Sequence, residues 1–170
     1  MNISELSVGS YILVTLGRYG FLIAQVVEIG RKQLGVMAVR HSHFDSPVTF
    51  TIGKIYHFKH SRIMGFDINS YMLVHFGFIP ANKKGWSMVY YFGDMMLLYR
   101  FDKKKMQTTF RFMSPFSKKY TNIDCHYIHN LQSIMRSLTG GELVFEFNEA
   151  SFEAIVNKMN QRPDYDRVNN

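Results

Sequence analysis

The chain has 170 residues, of which 20 are Lys or Arg and 13 are Asp or Glu, so its formal net charge is +7. Apolar residues make up 46% of it and charged residues 19%, which is enough hydrophobic material for a packed core and excludes wholesale disorder. No apolar run reaches the ~18 residues of a membrane-spanning helix. The single cysteine, Cys125, excludes an intrachain disulfide and a zinc site built from several cysteines.

The first residues lack the features of a secretory signal. Neither a basic segment nor an apolar one follows Met1. We therefore expect a soluble, cytoplasmic protein. The length predicts one domain or two small ones.

Residues 1–66 are predicted to form a small β-barrel subdomain. Segments rich in β-branched and aromatic residues alternate with turns that contain glycine or proline. The predicted strands cover residues 11–15, 21–29, 34–39, 48–52, 55–58 and 63–66. Several short strands at this spacing favour a strongly bent meander, and the specific prediction is an SH3-like barrel.

A helix and an antiparallel meander are predicted next. Apolar residues at helical spacing indicate a helix over residues 70–76, which Gly77 would end and Asp67 or Asn69 would cap. Three strands follow within residues 86–113. They cover residues 86–92, 95–101 and 106–112, and a basic loop at 115–119 precedes a brief strand at 120–123.

Two C-terminal helices are predicted to pack against the meander. Asp124 would cap the first helix, over residues 125–138, and a short strand at 143–145 would separate it from the second, over 149–160. The apolar stripe of the first helix comprises Tyr127, Ile128, Leu131, Ile134, Met135 and Leu138. The predicted fold is therefore α+β, with subdomains 1–66 and 67–163 and a flexible tail at 164–170.

Several short patterns resemble a known group of proteins. The clearest are Tyr127-Ile128-His129-Asn130-Leu131-Gln132 and Leu138-Thr139-Gly140-Gly141-Glu142-Leu143; two others are Leu6-x-Val8-Gly9-Ser10-Tyr11 and Leu73-Val74-His75-Phe76-Gly77-Phe78. They resemble the patterns of uncharacterised small proteins encoded by phages and mobile elements of Bacteroidota. The resemblance implies a shared architecture and action in the cytoplasm of a bacterial host. It implies no established activity.

A basic cluster is the strongest functional feature of the sequence. It lies at the turns and strand ends of the predicted meander, with aromatic residues between its members. The cluster comprises Lys83, Lys84, Arg100, Lys103, Lys104, Lys105, Arg111, Lys118 and Lys119, with Tyr90, Tyr91, Tyr99, Phe101, Phe110 and Phe112 interleaved. Such a sheet can bind single-stranded nucleic acid through phosphate contacts and stacking, for which Tyr91 and Tyr99 are candidates. Ordinary solvated lysines are the alternative interpretation.

The predicted helix over residues 125–138 also carries a polar strip. His129, Gln132 and Arg136 lie at positions i, i+3 and i+7, next to the apolar stripe. The strip could bind a ligand, with His129 acting as an acid or base. We favour a structural interpretation, in which His129 and Gln132 hydrogen-bond the backbone of a neighbouring sheet and fix the position of the helix.

The histidines raise the question of a metal site. The possible ligands are the pairs His41 and His43 on a strand and His126 and His129 on a helix, together with His57, His60, Asp45 and Asp124. None of them forms a known metal signature. Scattered surface and packing histidines are the favoured interpretation, and no metal or other cofactor is predicted.

Enzyme chemistry has little support in the sequence. A phosphate-binding glycine loop, a nucleophile elbow and a dinucleotide fingerprint are all missing. Cys125 precedes His126, but adjacent residues of a helix point about 100° apart and cannot form a dyad. We expect Cys125 to be buried and inert.

These observations favour a non-enzymatic accessory protein that binds a host or phage macromolecule. One alternative is a protein that binds single-stranded nucleic acid through the basic, aromatic meander. Others are a protein that sequesters a small ligand, a small enzyme with a pocket between barrel and meander, or a virion component that forms homo-oligomers. A membrane is not an expected partner.

Overall fold

The structure, a computed structural model, describes residues 2–42, 49–68, 70–84, 87–102, 107–113, 120–123, 125–144 and 153. This part of the chain has an α+β fold, in which two antiparallel sheets of five strands accompany two α-helices. None of its helices has both the length and the apolar character needed to cross a membrane.

Residue contacts divide the chain into two compact units. The first unit comprises Met1–Phe66, Ile128–Glu142 and Phe147–Asn170, and the second comprises Asp67–Tyr127 and Leu143–Glu146.

The sheet of the first unit consists of β1 (Tyr11–Thr15), β2 (Phe21–Ile29), β3 (Gln33–His41), β4 (Ile55–Lys59) and β5 (Ile63–Met64). The strand order is β4-β3-β2-β1-β5, so β1 pairs with both β2 and β5. Short 3-10 helices cover Ile3–Glu5, Gly17–Tyr19 and His60–Arg62.

One face of this sheet carries the core of the first unit. Alternate residues of a strand point to the same face, and here those residues are apolar. They include Ile12, Val14, Leu22, Ala24, Val26, Leu34, Val36 and Ala38, all of them buried. Leu13 and Ile23 belong to the opposite face and are also buried. Burial on both faces explains why β2 is apolar at nearly every position of its first half.

The predicted strand over residues 48–52 is wrong where the structure describes it. The chain turns there, and the N–H of Lys54 donates to the carbonyl of Thr51 at 3.1 Å. Gly53 has a φ of +80°, which other residues rarely adopt, and its N–H donates to the carbonyl of Ala38 at 2.8 Å. The turn is therefore fixed by a glycine conformation and a cross-chain hydrogen bond, which outweigh the β-propensity of the segment.

The second unit contains the predicted three-stranded meander and two further strands. Its strands are β6 (Ile79–Lys84), β7 (Ser87–Phe92), β8 (Met95–Asp102), β9 (Gln107–Met113) and β10 (Tyr120–Ile123). They pair antiparallel in chain order. The meander of β7, β8 and β9 and the brief strand β10 confirm the sequence prediction.

Strand β6 has no counterpart among the predicted strands. Pro80 is typical of a segment that follows a helix, and proline is excluded from central strands because it has no N–H. β6 is an edge strand, so Pro80 removes no bond from the interior of the sheet. The register shifts between Pro80 and Asn82, where the strand accommodates the irregularity.

Helix α1 (Ser70–His75) confirms the helix predicted here. Gly77 adopts a φ of +84°, and its N–H donates to the carbonyl of Val74 at 2.9 Å. The N–H of Phe78 reaches back to the carbonyl of Leu73, also at 2.9 Å. These two bonds form a Schellman motif, which satisfies carbonyls at the end of the helix.

Helix α2 (Ile128–Thr139) begins later than predicted. The N–H of Ile128 donates to the carbonyl of Phe66 at 2.7 Å, and the N–H of Ile68 donates to the carbonyl of His126 at 3.1 Å. These long-range bonds hold the preceding residues in an extended bridge. The backbone is therefore unavailable for a helical turn until Ile128.

The buried stripe of α2 is narrower than the predicted one. Ile128, Leu131 and Met135 are buried, at positions i, i+3 and i+7, and the helix packs against β1 in the first unit. Ile134 is half-buried, and Leu138 is 56% exposed. The expected burial of Leu138 is wrong because the whole last turn of the helix is exposed. The expected packing of the helix against the meander stays a prediction.

The other C-terminal predictions have mixed outcomes. The strand over residues 143–145 is wrong for Leu143 and Val144, which belong to no strand. The first is buried and the second exposed, and this alternation explains why the sequence pattern favours a strand. The predicted caps Asn69 and Asp124, the tail at 164–170 and the helix over 149–160, except the helical Glu153, lie outside the described residues.

We predict that Leu131→Ala lowers the free energy of unfolding by about 2–5 kcal/mol, because the change leaves a cavity at a fully buried position. Leu138→Ala in the last turn of α2 is the matched control and should change it by less than about 0.5 kcal/mol. Urea denaturation of both variants measures the difference. Equal losses would contradict the assignment of Leu131 to the core.

Candidate functional site

The register of the second sheet places two arginines on one exposed face. Arg100 of β8 pairs with Thr109 of β9, and Arg111 of β9 pairs with Leu98 of β8. Because residues two apart on a strand share a face, Arg100 and Arg111 are diagonal neighbours, with Cβ atoms about 7–8 Å apart. Both side chains are exposed.

Tyr91 of β7 lies on the same face as the two arginines. It pairs with Met96, which is four residues from Arg100 along β8 and therefore about 13 Å away. Tyr91 is 43% exposed, while Met96 and Leu98 between it and the arginines are half-buried. We call these five residues, Tyr91, Met96, Leu98, Arg100 and Arg111, the arginine face.

Most of the interleaved aromatic residues lie on the opposite face of this sheet. Tyr90, Phe110 and Phe112 are buried there, so they are not available to stack on a ligand. Tyr99 is half-buried, and its ring contacts Phe110 edge-on with centroids 5.3 Å apart. Strand alternation directs Tyr99 towards the aromatic core and away from the arginine face, and its role as a stacking residue stays a prediction.

The remaining members of the basic cluster are lysines, and the structure describes only two of them, Lys83 and Lys84. Lys83 and Lys84 end β6, where their backbone pairs with Met88 and Ser87. The predicted sites at Lys103, Lys104, Lys105, Lys118 and Lys119 lie outside the described residues. By sequence, the second unit contains nine Lys and Arg and five Asp and Glu, so it is net basic.

The polar strip on α2 connects this helix to the start of β1. The side-chain oxygen of Gln132 accepts a hydrogen bond from the N–H of Tyr11 at 2.9 Å, and its amide nitrogen donates to the carbonyl of Gly9 at 3.2 Å. The side chain of Gln25 donates to the same carbonyl at 3.2 Å. Gln132 thus has the role that the structural interpretation of the strip assigns to it.

Arg136 continues this connection at the surface. Its guanidinium forms an ion pair with Glu142 at 2.5 Å, and both side chains are largely exposed. A Cβ atom on Gly9 would lie 3.3 Å from the same guanidinium, and Gly9 has a φ of +92°. The conformation therefore favours glycine at this position, and a larger residue would also displace the exposed Arg136 guanidinium by a few tenths of an ångström. Sequence reasoning noted Gly9 and Glu142 only in the resemblance patterns and did not predict that both lie next to Arg136.

His129 is fully buried within the polar strip. Burial lowers the pKa of its imidazole to about 4, against the opposing effect of the Glu5 carboxylate, which lies 3.8 Å from Nε2. A general acid or base must contact its substrate. The burial of His129 therefore favours a structural role over a catalytic one.

The other histidines and the cysteine are dispersed. His57 lies 3.3 Å from the Glu28 carboxylate, and the imidazole of His60 hydrogen-bonds the carbonyl of Gly30 at 3.1 Å. Within the described ranges, no three His, Cys, Asp or Glu side chains are arranged to hold a metal ion. Cys125 is buried as expected, and burial raises its thiol pKa to about 12, so the thiol is protonated at neutral pH.

Two of the possible metal ligands named from the sequence, His43 and Asp45, lie outside the described residues, as does Asp124.

Comparisons of the chain with protein-family models, with curated proteins and with solved structures find no match. The resemblance to small proteins of phages and mobile elements therefore stays a prediction. Functional inference for this chain depends on the geometry of its own residues.

We predict that Gln132→Leu lowers the free energy of unfolding by about 1–3 kcal/mol, because it removes the acceptor of the Tyr11 N–H. Gln25→Leu is the matched control. It removes one of two donors to the Gly9 carbonyl and should cost less than about 1 kcal/mol. Thermal or urea denaturation of the two variants tests this, and a larger loss for Gln25→Leu would contradict it.

We also predict a pH dependence that originates at His129. Its pKa is about 4 in the folded protein, below the usual histidine value of 6.5, so the unfolded state binds more protons between these values. The stability that neutral His129 contributes is complete above pH 6.5 and is lost as the pH falls towards 4. The total effect is on the order of 3 kcal/mol, at about 1.4 kcal/mol for each unit of pKa difference.

The measurement is the free energy of unfolding of the wild type and His129→Gln between pH 7 and pH 4.5. The wild type should lose more stability than the variant across this range. Parallel curves for wild type and His129→Gln would show that His129 does not titrate in this way.

Proposed function

We propose that this chain is a non-enzymatic accessory protein of a phage or mobile element and that it binds single-stranded nucleic acid in the host cytoplasm. One observation carries the proposal, namely that Arg100, Arg111 and Tyr91 share one exposed face of an antiparallel sheet. The arginine face is the proposed binding surface.

Electrostatics supports a polyanionic ligand. Arg100 and Arg111 are diagonal neighbours, so their guanidinium groups can contact one strand of nucleic acid together. Arginine donates hydrogen bonds in a planar fork that suits phosphate oxygens. The surplus of basic residues in the second unit adds a longer-range attraction that brings a polyanion to this surface.

Stacking supports a single strand over a duplex. The ring of Tyr91 is partly exposed beside the half-buried side chain of Met96. An unpaired base can stack on such a ring, whereas bases within a duplex already stack on each other. The separation of about 13 Å between Tyr91 and Arg100 along the sheet lets one strand contact both.

An acidic host or phage protein is the second candidate partner. Met96 and Leu98 add apolar surface between Tyr91 and the arginines, and aromatic, methionine and arginine side chains are enriched in protein interfaces. The same arginine face would then be the docking surface. Salt dependence and stacking separate the two candidates experimentally.

We further infer that the sheet of the first unit is an SH3-like barrel. The strand order β5-β1-β2-β3-β4 and the 3-10 helix His60–Arg62 between β4 and β5 support this assignment. The core on one face of the sheet also supports it. A structure determined by experiment would test the assignment, because a barrel requires the sheet to close between its edge strands β4 and β5.

The test of nucleic-acid binding is a titration of labelled oligothymidylate, followed by fluorescence anisotropy at several salt concentrations. Each neutralised phosphate contributes a slope of about −0.7 in log K against log salt for a single strand. The double variant Arg100→Gln and Arg111→Gln should therefore make the slope less negative by about 1.4. Tyr91→Ala should weaken binding by about fivefold or more at every salt concentration and leave the slope unchanged.

The matched control changes charge without changing the arginine face. Arg31 and Lys32 are exposed in the turn between β2 and β3 of the first unit, and the double change to Gln removes the same formal charge. It should leave the slope unchanged. Absence of binding at low salt would overturn the proposal and make an acidic protein the leading candidate. Equal effects of the two double variants on the slope would have the same consequence.

A further inference from the structure

The first unit contains a cavity that sequence reasoning did not identify. Its volume is about 350 Å³, and it is partly open to solvent. It is formed where β1 and β4 end, next to two 3-10 helices. The lining residues are Thr15, Leu16, Tyr19, Phe50, Phe58 and Arg62.

The walls of the cavity are mainly apolar and aromatic. Leu16, Phe50 and Phe58 are half-buried and pack against the core of the first unit. The rings of Phe50 and Phe58 lie 6.0 Å apart between centroids, and Phe50 also contacts Tyr56 edge-on at 5.0 Å. Rings that are packed in this way are held in place before a ligand enters, which reduces the entropic cost of binding.

Arg62 adds a positive charge at the edge of the cavity. It ends the 3-10 helix His60–Arg62 and is exposed, and none of the lining residues is acidic. Across the ranges that the structure describes, its guanidinium forms no ion pair. A Cβ atom on Gly17 would lie 4.0 Å from this guanidinium, so the side chain lies over the 3-10 helix Gly17–Tyr19.

We propose that this cavity binds a small aromatic carboxylate, with its ring against the apolar walls and its carboxylate on Arg62. The volume suits such a ligand, because an engineered apolar cavity of about 150 Å³ accommodates benzene and small-molecule sites begin at about 300 Å³. Charge complementarity selects an anion, and the fork of an arginine can bind a carboxylate through two hydrogen bonds. An apolar site with one placed charge is the usual arrangement of a small-ligand pocket.

The proposed ligand of the cavity is a free small molecule. The volume of about 350 Å³ has space for one or two fused rings. 2-Naphthoate has two fused rings and one carboxylate, and it serves as the probe. 2-Naphthamide has the same shape without the charge and serves as its neutral control.

The experiment is calorimetric titration of the full chain with both compounds. We expect 2-naphthoate to bind with a stoichiometry of one, and more tightly than 2-naphthamide. Arg62→Gln should weaken the binding of 2-naphthoate by about tenfold, because it removes one charge-assisted contact and each 1.4 kcal/mol corresponds to a tenfold change in affinity. The same variant should leave the binding of 2-naphthamide unchanged. Because Arg62 is exposed, the variant is expected to fold.

The control is Arg31→Gln, which removes an exposed arginine of the same unit that does not line the cavity. It should bind both compounds as the wild type does. Absence of binding at millimolar 2-naphthoate would overturn the proposal. Equal weakening by Arg62→Gln and Arg31→Gln would also overturn it, because only the net charge would then matter.

Discussion

The hydrogen bonds of Gln132 connect α2 to the beginning of the first unit. The side chain satisfies the N–H of Tyr11 and the carbonyl of Gly9, more than 100 residues earlier in the chain. β1 starts at Tyr11 and pairs with both β2 and β5, so the position of α2 is fixed against an interior strand of the sheet. The buried side chains of α2 can then pack against β1, and His129 becomes enclosed.

In the second unit, the alternation of side chains along each strand decides which residues are buried and which are exposed. It divides a sequence crowded with aromatic and basic residues into a buried face and the arginine face. Tyr90, Phe110 and Phe112 fill the first, while the arginines and Tyr91 occupy the second. The aromatic core stabilises this arrangement of strands, and their register makes Arg100 and Arg111 diagonal neighbours on one face.

Part of the candidate site could be predicted from the sequence. Arg100, Arg111 and Tyr91 belong to the predicted cluster, because basic and aromatic side chains within strands are visible in any short window. Tyr99 belongs to the same pattern and yet lies on the other face, which only the register decides. The cavity beside Arg62 has no local signature, since its walls come from separate strands and turns.

The sequence by itself determined what depends on neighbouring residues. The meander follows from apolar segments separated by turn residues. Helix α1 follows from apolar residues at helical spacing and from Gly77 at its end. Only the tertiary structure decided that Pro80 lies in an edge strand, that α2 begins at Ile128 and that Leu138 remains exposed. The physical reason is that the spacing of apolar residues and the preference of glycine and proline for turns act over a few residues. Strand pairing and burial depend on partners far away in the chain.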